Sequence, residues 1–295
     1  MSYHPGVASV GNQFSIPILP ALAGRAHEWL AGRLPTGPLR DAATVALVRD
    51  SAEGLQVYLQ RRASSMAFAA GMYVFPGGGV DPRDLTERPR WAGPPPAWWA
   101  EQFGCDEALA AALVAAAVRE TFEESGVLLA GPSADEVVVD VTDADWEADR
   151  QALESHQVAF TEVLERRGLT LRADLLRPWD HWITPEMEPR RYNTRFFLAA
   201  LPPGQRTRHV GGEADHVAWM APTEAAARAR AGELGLLPPT VAVVSSLAAA
   251  RTVDELLSTT RTIVPTMPRP TPDGEGGLRL LLEQRPDLRT GAGTA

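Results

Sequence analysis

The chain has 295 residues, 45% hydrophobic and 22% charged, ordinary values for a protein that can bury a full core. Its net charge of −9 argues against broad nucleic-acid binding, and no apolar run approaches the roughly 20 residues of a membrane span. All 28 basic residues are arginine, which excludes Schiff-base chemistry and a phosphate-loop lysine; the one cysteine, Cys105, excludes an internal disulfide.

Residues 1–40 show no clear periodicity and read as an arm. Met1-Ser2-Tyr3-His4 lacks the charged start and apolar run of a secretory signal, which with the single cysteine points to a reducing cytoplasm. Ala42 to Arg49 reads as a buried strand, Asp50 to Gly54 as a turn, and Leu55 to Arg61 alternates as the hairpin partner. Met72 to Phe75 is a third strand that feeds Pro76-Gly77-Gly78-Gly79. The Pro- and Gly-rich stretch from Val80 to about Asp106 reads as an irregular insert. Removing Asp84 to Gly104 is expected to leave a folded protein with altered KM. A helix follows from Asp106 to Ser125, ended by Gly126.

Glu136 to Val141 reads as a strand, and Thr142 or Asp143 caps a helix to Arg167. Leu175 to Thr184 and Arg191 to Leu201 are strands about the turn Pro185 to Pro189, and His216 to Met220 is another. Helices are expected from Pro222 to about Leu234, Pro239 to Ala250 and Val253 to Ser258, before a frayed tail from Pro265. The expected organisation is an arm (1–40), a main domain (41–235) and a helical extension with its tail (236–295). Interleaved strands and helices predict an α/β fold, a mixed sheet packed between helices.

The chemistry concentrates between Phe75 and Gly126. At 100° per residue Glu120, Glu123 and Glu124 share one helix face, while Val114, Val118 and Phe122 form an apolar stripe opposite. Three carboxylates aimed one way from a rigid helix suit a hard divalent cation. The glycine run lets backbone approach a ligand closely.

Phe-Pro-Gly-Gly followed by Arg119-Glu-Thr-Phe-Glu-Glu-Ser-Gly126 resembles the Nudix box of hydrolases that cleave a nucleoside diphosphate linked to another group. Thr121 replaces the usual aliphatic residue. Arg119 stands 41 positions after Gly78 where the box allows 14, so 27 residues are inserted. Counted back from Arg119, the box's first Glu falls on Ala111, so that helix-orienting carboxylate is missing or supplied elsewhere. Leu59 to Gly78, the insert, and Trp182-Ile-Thr-Pro with Arg191-Tyr-Asn-Thr-Arg-Phe-Phe197 are similar to the coenzyme A diphosphatase branch with an interrupted box.

The resemblance implies an α/β/α sandwich and a Mg²⁺ or Mn²⁺ cofactor held by Glu120, Glu123, Glu124 and the Gly77 carbonyl. It implies that Arg119 orients carboxylates, and that Glu123, Glu124 or Glu213 serves the catalytic step. Arg61, Arg62, Arg191, Arg195 and Gly78 are candidates for substrate contact, with Arg62 matching the retained part of the coenzyme A signature as reader of the 3′-phosphate. The implied substrate is coenzyme A or an acyl ester, cut to adenosine 3′,5′-bisphosphate and phosphopantetheine. The alternatives are another nucleoside diphosphate derivative (a dinucleotide, a nucleotide sugar, ADP-ribose) or a non-catalytic ligand sensor. Neither nucleic acid nor membrane is an expected partner, and a homodimer is allowed.

Overall fold

The computed structural model describes residues 8–10, 13–18, 20–63, 69–209, 214–274 and 276–282. In chain order its elements begin with β1 (Ala8–Val10), β2 (Gln13–Pro17), α1 (Pro20–Leu30), β3 (Leu39–Ser51), β4 (Gly54–Arg62), β5 (Tyr73–Val74) and β6 (Gly77–Gly79). The middle holds α2 (Pro82–Thr86), β7 (Trp91–Ala92), α3 (Pro96–Phe103), α4 (Glu107–Ser125), β8 (Ala130–Gly131), α5 (Ala144–Glu154), α6 (Phe160–Arg166) and β9 (Thr170–Arg172). The rest comprises β10 (Leu176–Ile183), β11 (Arg191–Ala200), β12 (Ala214–Met220), α7 (Pro222–Arg230), α8 (Pro238–Leu247), α9 (Val253–Leu257), β13 (Arg269–Pro272) and β14 (Leu278–Leu282).

The central sheet runs β10-β11-β3-β4-β12, with β5 added to β4 and β6 to β3. Only β11 and β3 pair in parallel within it. The β3–β4 hairpin pairs from Val48–Val57 to Ser51–Gly54 and then splays. Gly77 to Gly79 pairs against Thr44 to Ala42, and Tyr73 and Val74 pair against Arg61 and Gln60. The glycine loop therefore lies in an opening of the sheet. Successive strand residues point to opposite faces, so Val45 and Leu47 pack under α4 while Ala46 and Val48 pack toward α8. Helices on both faces of a mixed sheet make the expected α/β/α arrangement.

α4 is nearly all buried. Asp106 caps it by accepting from the Leu109 N–H at 2.8 Å, and Gly126 ends it in the left-handed region at φ 70°.

Several expectations are corrected. Residues 1–40 contain two strands and a helix, and the tail contains the β13–β14 hairpin. β14 pairs with β2, from Arg279 opposite Pro17 to Leu282 opposite Phe14. The partners stand more than 260 positions apart, so no local periodicity could signal them. The insert is not irregular: it contains α2 and α3, and its Trp91 pairs with Leu171 of β9. Glu136 to Val141 forms no strand; the segment is tied by Gln205, whose Nε2 donates to the Val138 carbonyl at 2.6 Å. The helix expected to reach Arg167 breaks between Glu154 and Phe160, where His156 has φ 55°.

Candidate active site

The site is assembled from α4, the glycine loop and the neighbouring strands. Gly77 and Gly78 are required by close approach. A Cβ on Gly77 would stand 2.5 Å from the Ala43 carbonyl oxygen, and one on Gly78 2.5 Å from the Glu120 carboxylate. Those two contacts clamp the loop between β3 and the acidic face of α4.

Arg119 is buried at the centre of that face. Nη1 donates to Glu120 Oε1 at 2.8 Å and to Glu123 Oε1 at 3.1 Å, and Nη2 donates to the Gly79 carbonyl at 2.9 Å and to Asp84 Oδ2 at 3.1 Å. Glu124 is held separately. Its Oε2 accepts from the Gly77 N–H at 2.9 Å and from Gln60 Nε2.

Asp84 stands in for the carboxylate absent at Ala111. Ala111 is core, 4% exposed. α2 presents Asp84 through a capping box: Asp81 accepts from the Arg83 N–H at 2.8 Å, and Asp84 accepts from the Asp81 N–H at 2.9 Å. The signal was available in the sequence. Asp84 lies six positions after Gly78, where the box has its first Glu, so the extra residues follow Asp84 rather than Gly79.

Three carboxylates, Asp84, Glu120 and Glu123, thus surround one guanidinium, and Glu124 stands beside them on Gly77 and Gln60. Burial pushes the carboxyls of Glu120, Glu123 and Asp84 above the usual range, against the opposing pull of Arg119. Burial disfavours the charge on Arg119, but Glu120, Asp84 and Glu123 overcome this and hold it well above its ordinary value. The local excess of negative charge and the all-oxygen donor set fit a hard divalent cation. Among the described residues no three such side chains are closed around a single point; they are tied instead to Arg119, Gln60 and the Gly77 amide.

The cleft over this face has a volume of about 1680 Å³, above the ~300–1,000 Å³ of common small-molecule pockets. Gly77, Gly78, Arg62, Arg119 and the three helix glutamates all line it. Three candidate arginines do not. Arg61 pairs with Asp215 at 2.6 Å. Arg195 is buried against Asp41 at 2.6 Å. Arg191 is buried and donates to the Thr184 carbonyl at 3.2 Å and the Gly37 carbonyl at 3.3 Å. Alternation along β11 turns Arg191 and Arg195 to the face opposite Tyr192 and Thr194, which do line the cleft. Glu213 lies outside the described residues. Besides Asp84, sequence reasoning missed Gln60, Arg40, Arg190 and His156, all at the cleft; Gln60 falls within the Leu59 to Gly78 stretch, and the other three stand in no motif.

An α/β/α sandwich whose glycine loop faces an Arg-Glu-x-x-Glu-Glu helix is a Nudix hydrolase. The family profile described as "NUDT19 Nudix domain" matches residues 95–247. A crystal structure of a NUDIX hydrolase from Alicyclobacillus acidocaldarius is 30% identical with a TM-score of 0.64, covering 77% of this chain and 98% of that one. "Putative nudix hydrolase 7" of Caenorhabditis elegans is 29% identical over 74% of this chain and 64% of its own length. "Acyl-coenzyme A diphosphatase NUDT19" of Xenopus laevis is 25% identical over 68% of this chain and 62% of its own length. The chain spans less than two thirds of the length of these curated relatives. The chain belongs to the Nudix hydrolases, in the NUDT19 Nudix domain family. Among the described residues no helix is long and apolar enough to cross a membrane.

Proposed function

We propose that the chain is a divalent-metal-dependent diphosphatase that hydrolyses coenzyme A or acyl-coenzyme A to adenosine 3′,5′-bisphosphate and (acyl-)phosphopantetheine. The observation that carries this reading is the set of three carboxylates around Arg119, with Glu124 beside them on the glycine loop, lining a large cleft. The name of the Xenopus laevis relative supports the choice of substrate.

Glu120, Glu123, Glu124 and Gly77 would hold Mg²⁺ or Mn²⁺. When bound, the ion neutralises diphosphate charge and makes water more acidic. Arg119 fixes the carboxylates so that little reorganisation remains at the moment of reaction. Glu123, within the cleft, accepts the proton of the attacking water. Arg62, on the same strand face as Gln60, places a planar two-donor fork beside the diphosphate. Hydrolysis adds the water oxygen to one phosphorus, and the bridging oxygen leaves with the other.

The test is a hydrolysis screen with Mg²⁺ across coenzyme A, a long-chain acyl-coenzyme A, NADH, ADP-ribose and a dinucleoside polyphosphate, with products identified by mass. Release of adenosine 3′,5′-bisphosphate, with coenzyme A or its ester preferred, is expected. Preference for NADH or ADP-ribose would overturn the substrate, and turnover of none of them would overturn the activity.

A further inference from the structure

We propose that Arg40 and Arg190 form a second anion subsite in the cleft, one that takes a phosphomonoester carried on the sugar of the nucleotide. This rests on the diphosphatase reading and adds where the charge beyond the diphosphate is held.

Among the described residues four arginines line the cleft: Arg40, Arg62, Arg119 and Arg190. Arg119 is committed to the carboxylates and the Gly79 carbonyl. Arg40 and Arg190 are exposed, and among the described residues neither side chain has an ion-pair or hydrogen-bond partner. What sets them apart from other exposed arginines, such as Arg88 and Arg206, is their place in the lining of the cleft.

The topology brings the two to one place. β3 and β11 run parallel with Tyr192 opposite Arg40, and Arg190 lies two residues before Tyr192. Arg40, Ala42 and Thr44 share a strand face, and Ala42 and Thr44 are opposite Gly79 and Gly77. Arg40 therefore sits roughly 7 Å beyond Ala42 along β3, at ~3.3 Å per residue. Tyr192 lines the cleft between them and offers a ring face to a base.

The nearby acids do not neutralise the pair. Asp41, which also lines the cleft, is engaged by Asn193 Nδ2 at 2.9 Å and Arg195 Nη1 at 2.6 Å. Glu188 is half-buried beside Arg25. Two guanidinium groups lining one cleft without a carboxylate partner leave positive charge there for an anion to meet. A doubly charged phosphomonoester offers each fork two oxygens. Arg62, by contrast, shares a strand face with Gln60, which binds Glu124, and so belongs to the diphosphate end.

Coenzyme A and dephospho-coenzyme A differ only in the 3′-phosphate. kcat/KM for both is measured on the wild type, R40A, R190A, R40A/R190A and R62A. Binding of adenosine 3′,5′-bisphosphate and of AMP is measured by calorimetry, with melting curves as a folding control. Each of R40A and R190A is expected to lower kcat/KM for coenzyme A about tenfold to hundredfold, leaving dephospho-coenzyme A unchanged. The same variants should weaken binding of the bisphosphate and not of AMP, and R62A should lower both substrates alike. Equal losses on both substrates, or no loss, would overturn the subsite. If the wild type cleaves neither substrate, the diphosphatase reading fails. The subsite then stands or falls on the calorimetry: selective loss of bisphosphate binding supports it, and unchanged or absent binding overturns it.

Discussion

Arg119 reaches from α4 to Asp84, Nη2 to Oδ2 at 3.1 Å, across 35 positions of sequence that fold back onto one site. Both side chains are at most 6% exposed, so each needs the other's charge. Asp84→Asn keeps the shape and removes that charge. It should lower stability by about 1.5–3 kcal/mol, the range for a hydrogen bond to a charged group. The freed Arg119 should also shift Glu120 and Glu123, lowering kcat on the order of 10²-fold, the scale of a 1 Å misplacement at an active site. Urea unfolding and steady-state kinetics check both; wild-type kcat in the variant would mean that Asp84 does not position the carboxylates.

Glu124 stands apart from Arg119, fixed by the Gly77 N–H and Gln60. Glu124→Gln retains an oxygen that can accept from the same donors, so folding should be little affected. kcat should fall by about 10²–10⁴, as for a lost catalytic group. Turnover is measured against Mg²⁺ concentration, and wild-type turnover with unchanged Mg²⁺ dependence would remove Glu124 from the site.

Excision of Asp84 to Gly104 reads from sequence as tolerable, and the structure reverses that expectation. Trp99 of α3 is fully buried, its ring centroid 6.0 Å from Phe103 and 5.5 Å from Phe197 of β11. Trp99→Ala should cost about 3–5 kcal/mol, the range for emptying a large aromatic site. The excised protein should lack the near-ultraviolet signature of a packed core by circular dichroism. A folded deletion variant would show that β11 can be covered without the insert.

His181 gives a pH dependence. Its Nε2 lies 2.6 Å from Asn193 Oδ1; because Asn193 Nδ2 donates to Asp41, Nε2 carries the proton. Nδ1 is buried without a partner among the described residues. Burial therefore lowers the imidazole below its ordinary 6.5, and the nearby Arg195 charge acts the same way. Below pH 6.5 the unfolded chain binds this proton and the folded chain resists it, so stability falls as pH drops through that window and is retained above it. His181→Gln lacks the titration. The stability advantage of wild type over the variant, from denaturant unfolding between pH 5 and 8, should shrink as pH falls below 6.5; a pH-independent difference would contradict the assignment.

Periodicity and short motifs determined what depends on neighbours along the chain. The carboxylate face of α4 follows from i, i+3, i+4 spacing, its end from Gly126, and the glycine loop from a run of residues without Cβ. The hairpin of β3 and β4 follows from alternation about a turn. Tertiary structure alone decided what depends on contacts between distant segments. Arg191 and Arg195 look like Arg62 in sequence, but strand parity and the partners Gly37 and Asp41 send them away from the cleft. Arg40 and Arg190 carry no motif and both line it because β3 and β11 pair in parallel. β2 and β14 become strands because each satisfies the other's backbone groups from the opposite end of the described chain. A hydrogen-bond partner more than 260 residues away leaves no trace in local sequence, since the pairing energy resides in the contact and not in either segment by itself.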